Sequence, residues 1–179
     1  SHSDLKGNDD IWKIDIRNAG TERLTDADEI DFAPDPSPDG RSIAFSSARG
    51  GPISIWTIPT TGGKRLRINN TEYAPRFSPN GQSILFWKQN ALWTMGADGK
   101  NARQIFSGLR EPAAGVWTAK GPAFFLNGEI RTPSETLLSN TTRTIWPAFD
   151  VLKDGRLATA PIDIRETGLW EIDLTYTIR

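Results

Sequence analysis

Ala33-Pro34-Asp35-Pro36-Ser37-Pro38-Asp39-Gly40-Arg41-Ser42-Ile43-Ala44-Phe45-Ser46 is the stretch that decides the fold. Pro36 and Pro38 cannot donate to a ladder or sit inside a helix, and each biases the residue before it towards extended geometry. Pro38-Asp39-Gly40 is turn chemistry. Proline presets φ, aspartate bonds back to its own backbone, and glycine accepts positive φ. Ile43 and Phe45 then share one face of a short apolar run. The stretch predicts strand, tight turn, strand: a hairpin.

The pattern returns at Ala74-Pro75-Arg76-Phe77-Ser78-Pro79-Asn80-Gly81-Gln82-Ser83-Ile84-Leu85-Phe86-Trp87, with Gly40 and Gly81 separated by 41 residues. Each unit also has a second half. Ile11-Trp12-Lys13-Ile14, Ile55-Trp56-Thr57-Ile58, Leu92-Trp93-Thr94-Met95 and Leu169-Trp170-Glu171-Ile172 share one pattern. After the first three come glycine-containing turns and short outer strands at Leu24-Thr25, Leu66-Arg67-Ile68 and Ile105-Phe106. Two hairpins per unit make four antiparallel strands, one blade of a β-propeller. Ile53 to Ile58 is apolar at both parities, as expected of a middle strand covered by a neighbouring blade on each side.

Ser37-Pro38-Asp39-Gly40, then Ile43-Ala44-Phe45, Ile55-Trp56-Thr57-Ile58 and Gly62-Gly63 before Leu66 form a combination that resembles the TolB-type propeller repeat, a WD-like repeat. The units at 33–69 and 74–106 match closely and residues 109–179 loosely. The Trp-Asp and Gly-His pairs of true WD repeats are absent. The resemblance implies an all-β propeller that binds partners in the periplasm or in bacterial sensor proteins. It equally implies the alternative of a propeller that gates a prolyl-oligopeptidase-like or tricorn-like protease.

Blades are expected at about 30–69, 71–107, 112–140 and 145–176, with leading outer strands within 11–25, all inside a domain of residues 10–179. The third blade reads as Gly115 to Thr118, a turn at Gly121, Pro122 to Leu126, Glu129 to Thr132 and Thr136 to Leu138, and the fourth turns at Gly155. Ser1-His2 reads as a tag remnant and residues 1–9 as a frayed end. Four blades and two leading strands either close on themselves or belong to a larger or oligomer-completed ring. The open case, which leaves an apolar blade face to be covered by a second copy, is favoured.

The 179 residues carry 21 basic and 22 acidic side chains, so no basic face points to nucleic acid. Cysteine is absent and His2 is the lone histidine, which excludes thiolate catalysis and leaves no imidazole for a Ser-His-Asp triad. There is no Gly-x-Ser-x-Gly elbow and no phosphate loop. Asp26, Asp28, Glu29 and Asp31 lack the spacing of a calcium loop and read as a solvated connector. No catalytic residue, metal or cofactor is expected, and no apolar run is long enough to span a membrane. An extracytoplasmic location is favoured.

Binding is expected at the loops leading into the innermost strands. Those loops carry Glu29, Asp31, Glu72, Tyr73, Arg76, Arg110, Glu111, Arg143 and Trp146, a mixture of charge and aromatics suited to a protein or peptide surface. Trp12, Trp56, Trp93 and Trp170 recur at one repeat position and are expected to be buried between blades.

Overall fold

The computed structural model describes residues 2–3, 9–70, 72–108, 115–126, 129–138, 148–151 and 157–160, and these contain strands and turns but no helix. The chain divides into two compact units, residues 1–107 and 108–179. In the first unit β1 (His2–Ser3) pairs with β2 (Asp9–Asp10), and β3 (Trp12–Asp15) with β4 (Gly20–Arg23). A four-stranded antiparallel sheet follows: β5 (Asp31–Pro36), β6 (Ser42–Ser47), β7 (Ser54–Pro59) and β8 (Leu66–Arg67), neighbours in chain order. A second is built the same way from β9 (Tyr73–Phe77), β10 (Ser83–Lys88), β11 (Ala91–Gly96) and β12 (Arg103–Ser107). We call these blades one and two.

The second unit holds a third four-stranded sheet, β13 (Gly115–Thr118), β14 (Gly121–Leu126), β15 (Glu129–Arg131) and β16 (Thr136–Leu138). Val116, Ala123 and Ile130 form its buried core, with Phe125 and Leu137 packed on them. A further pair, β17 (Ala148–Val151) with β18 (Leu157–Ala160), completes what is described there. The expected turn at Gly155 and strand at Leu169 to Leu174 lie outside the described residues.

Successive side chains of a strand point to opposite faces, and blade one uses both. On one face Ile43, Phe45 and Ile58 join Ile11 and Leu24, which flank the leading strands β3 and β4, in a single buried cluster, with Trp56 packed against it. On the other, Ala44 and Ile55 join Ile84, Phe86 and Met95 of blade two, with Ile68, Phe77 and Trp93 packed alongside. Blade one is thus sandwiched, which is the arrangement of stacked propeller blades. Gly40 and Gly81 sit in equivalent turns, at φ 69° and 71°, and each donates its N–H to the serine three residues earlier at 2.8 Å.

The Ala-Pro step of each repeat is a β-bulge. The three steps of β5 from Phe32 to Asp35 face two steps of β6, and β9 shifts in the same way from Tyr73 to Arg76 against β10. Ala33 and Ala74 take the left-handed backbone, φ 50° and 55°. Pro34 and Pro75 follow them, where the bulge leaves no ladder donor to lose.

Three expectations need correction. The second leading strand ends at Arg23, since the amides of Leu24 and Thr25 turn to the Ile11 carbonyl instead. Gly121 does not match Gly40: it opens β14 opposite Thr118 across a two-residue turn. Trp56 and Trp93 are half-buried rather than enclosed, and Trp12 is 36% exposed, because their repeat position lies at the edge of each apolar cluster.

One glycine holds the blades together by close approach. A Cβ on Gly99, at φ +82°, would lie 2.1 Å from the Ile68 carbonyl oxygen, whereas a Cβ on Gly40 would meet nothing within 4 Å. Gly99→Ala is therefore expected to destabilise by about 3 kcal/mol or more, from left-handed strain plus overpacking, and Gly40→Ala by about 1–2 kcal/mol from strain alone. Denaturant midpoints of the two variants measure the difference, and equal losses refute the close approach.

Candidate functional site

In an antiparallel meander the loops alternate between the two ends of the sheet. The loops leading into β5 and β9 therefore share an end, the rim, with those joining β6 to β7 and β10 to β11. At this rim each blade of the first unit builds the same constellation of acid, cation and tryptophan. In blade one Asp31 is wholly buried and ion-paired with Arg49. The Arg49 guanidinium lies 5.5 Å from the Trp56 ring centre and 6.0 Å from that of Phe45, and its Nε donates to Ser47 Oγ at 3.0 Å. In blade two Lys88 Nζ is 2.9 Å from Oε1 of Glu72, which is 1% exposed, and 5.4 Å from the Trp93 ring centre.

The physical logic is common to both. A buried carboxylate without a cation is very unfavourable, and the aromatic face offers the cation a second attractive surface while it stays desolvated. Burial pushes the Glu72 carboxyl above its ordinary pKa, and the ammonium of Lys88 opposes that shift only in part. Asp31 Oδ1, Glu72 Oε2 and both indole N–H groups, Trp56 Nε1 and Trp93 Nε1, are buried with no hydrogen-bonding partner among the described residues.

The other expected rim residues are placed as follows. Arg76 reaches Asp35 of the preceding blade, Nη1 to Oδ1 3.1 Å, while Asp35 Oδ2 accepts the Phe77 N–H at 2.7 Å. Ser46 Oγ accepts the Ala74 N–H at 2.9 Å, a second polar link between the two blades. Tyr73 is half-buried, with its phenol pKa raised by that burial, and Glu29 is exposed. Arg110, Glu111, Arg143 and Trp146 lie outside the described residues. Asp31 and Glu72 are thus enclosed within their blades, Arg76 is tied to Asp35 with its side chain still 41% exposed, and Glu29 and Tyr73 also reach solvent. Among the described residues no group of three or more His, Cys, Asp or Glu side chains could hold a metal ion.

Arg49 and Lys88 escaped the sequence reading. Aligned on the glycines they fall at different positions, because the loop from β6 to β7 is longer than the two-residue turn Gln89-Asn90 between β10 and β11. The signal that finds them is a cation at or just past the end of the second strand of each unit, two repeats in succession.

With sandwiched four-stranded blades and buried acid–cation pairs on the page, the class of the chain is plain: it is built from β-propeller blades. Residues 2–121 match the TolB β-propeller domain family, and the chain belongs to that family. It is 32% identical over 112 residues to an uncharacterised protein of Agrobacterium fabrum, covering 54% of this chain and 38% of that one. It is 33% identical over 79 residues to the uncharacterised peptidase YuxL of Bacillus subtilis, covering 42% of this chain and 12% of the peptidase. Among solved structures it is similar to TolB from Acinetobacter baumannii, with a TM-score of 0.69 at 18% identity, covering 93% of this chain and 47% of that one. The chain therefore spans less than half the length of each.

Glu72 supplies a pH test. Its native pKa is raised, so the folded state holds the proton more tightly than the unfolded one. Its contribution to stability grows as pH falls through that raised value and is complete below the ordinary value of 4.5. Glu72→Gln is expected to abolish this component, so the variant's stability relative to wild type should be highest near neutrality and decline on acidification. Denaturant midpoints across the pH range check the sign, and a parallel pair of curves rejects it.

Proposed function

We propose that the chain is a non-enzymatic binding module that recognises a protein or peptide partner, working in the periplasm or as the sensing part of a bacterial protein. Its membership of the TolB propeller family carries this reading. The make-up of the chain supports it: His2 is the lone histidine, cysteine is absent, and the buried carboxylates Asp31 and Glu72 are ion-paired within their blades. The residues we assign to the rim surface are Glu29 and Tyr73, with Arg110, Glu111, Arg143 and Trp146 from the later loops. Association of two copies through β3 is part of the proposal. Trp12 and Ile14 are 36% and 61% exposed where their repeat counterparts Trp56 and Ile58 pack into a core.

A second reading follows from the similarity to peptidase YuxL: an accessory propeller that governs access to a protease domain. The two are separated by display of a random peptide library on the purified chain, run beside assays of ester and peptide hydrolysis. Saturable peptide binding without turnover is expected. Hydrolysis that a point change within this chain abolishes overturns the non-enzymatic reading. Light scattering at rising concentration should show a dimer, and a concentration-independent monomer removes the self-association.

A further inference from the structure

At the end of the blades away from the rim, the turn of blade one faces the turn of blade two across a cleft of about 510 Å³. Pro38, Asp39 and Thr57 line it from blade one, and Phe77, Pro79 and Asn80 from blade two. Its size falls in the range of about 300–1,000 Å³ usual for small-ligand sites.

The two turns are built alike and differ in two side chains, Asp39 against Asn80 and Arg41 against Gln82. In blade one Ser37 Oγ donates to Asp39 Oδ1 at 2.6 Å, and that oxygen accepts the Arg41 N–H at 3.0 Å. In blade two Ser78 Oγ donates to Asn80 Oδ1 at 2.7 Å, and that oxygen accepts the Gln82 N–H at 3.0 Å. The serines accept the next strand's amide alike, Ser42 N–H at 3.0 Å and Ser83 N–H at 2.9 Å. A neutral amide oxygen therefore meets every demand of this turn, and the negative charge of Asp39 is not needed to form it.

That charge is nonetheless secured and left available. The Ser37 hydroxyl, then the Arg41 amide, hold the Asp39 carboxyl below the usual carboxylate range, so it is ionised throughout the neutral region. Its Oδ2 has the Arg41 Nε at 4.0 Å, on a side chain 86% exposed. Such a pair is weak and exchangeable. A carboxylate at the mouth of a cleft walled by two prolines and a phenylalanine suits a group with an apolar stem and a cationic head.

We propose that this inter-blade cleft binds a lysine or arginine side chain from an extended segment of a protein partner, with Asp39 meeting the cation and Pro38, Phe77 and Pro79 flanking the aliphatic stem. The inference rests on the reading of the chain as a protein- or peptide-binding propeller, and places a contact on the face opposite the rim.

The test is an NMR titration of the full chain with acetyl-Gly-Arg-Gly-amide, beside the same peptides carrying glutamate or norleucine in place of arginine. The arginine peptide should shift the amides of 38–42 and 77–81, and the glutamate peptide should not. Asp39→Asn, which Asn80 shows the turn accepts, should weaken arginine-peptide binding about threefold or more, the effect of one exposed ion pair. Equal binding by that variant, equal shifts from the glutamate peptide, or no shifts at the highest soluble concentration overturns the cleft. Shifts confined to Glu29, Tyr73 and Gln89 at the rim overturn it too, yet leave the binding-module reading in place. Failure of the library display to select any peptide counts against that reading alone, since the titration decides the cleft on its own readout.

Discussion

Each middle strand of the first unit has to be covered on both faces. Ile55 and Trp56 are adjacent in sequence and so point to opposite sides of β7, and both sides are apolar. A sheet with two apolar faces cannot stand alone in water, and its stability comes from the interfaces it shares with neighbours. This requirement fixes the order of everything else. Ile11 and Leu24, flanking the leading strands, cover one side of blade one, and Ile84, Phe86 and Met95 of blade two cover the other. It also explains why the leading pair stays exposed. β3 and β4 are almost wholly exposed, with Ile14 at 61%, because no further sheet within the described residues covers their outer face.

Polar groups work inside this apolar frame rather than on its surface. Asp10, Asp31 and Glu72 are each at most 1% exposed, and each has a cation, Arg23, Arg49 or Lys88. Ion pairs of this kind add little net stability compared with a well-packed apolar substitute, but removing one partner is costly. Their effect is to make one arrangement of loops acceptable. Arg49, two residues past β6, and Lys88, the last residue of β10, lie over Trp56 and Trp93 while pairing with the buried acids.

The fold was legible because the repeat is written in turn chemistry and in parity. Ser37-Pro38-Asp39-Gly40 and Ser78-Pro79-Asn80-Gly81 give equivalent turns whatever surrounds them, and the third sheet at 115–138 could be read despite its worn sequence. The site was less legible. Charge in a loop predicts charge at the surface, and Glu29 is exposed. For Asp31 and Glu72 it fails, because each stands at the start of an inner strand where a cation from a different loop closes over it. Linear spacing cannot show that closure when the intervening loops differ in length. Tryptophan periodicity predicts packing but not its depth, since the repeat position lies at the edge of each apolar cluster.

The innermost strands show how the two ends of the blades come to differ. Asp35 and Arg76 stand two residues past the strained alanines Ala33 and Ala74, the same place in consecutive repeats, yet they carry opposite charges and bond to each other. The bulge re-aims the strand there, and Asp35 also takes the Phe77 amide. Left-handed alanines cost about 1–2 kcal/mol each, so the bulge persists because the links it permits outweigh that strain. Charge on the rim side and along the inner strands is therefore tied into the cohesion of the blades. At the turn end the same repeat position is aspartate in one blade and asparagine in the next, and the Oδ1 of each accepts the same two hydrogen bonds. There the backbone is indifferent to charge, and a partner can use it without loosening the blades.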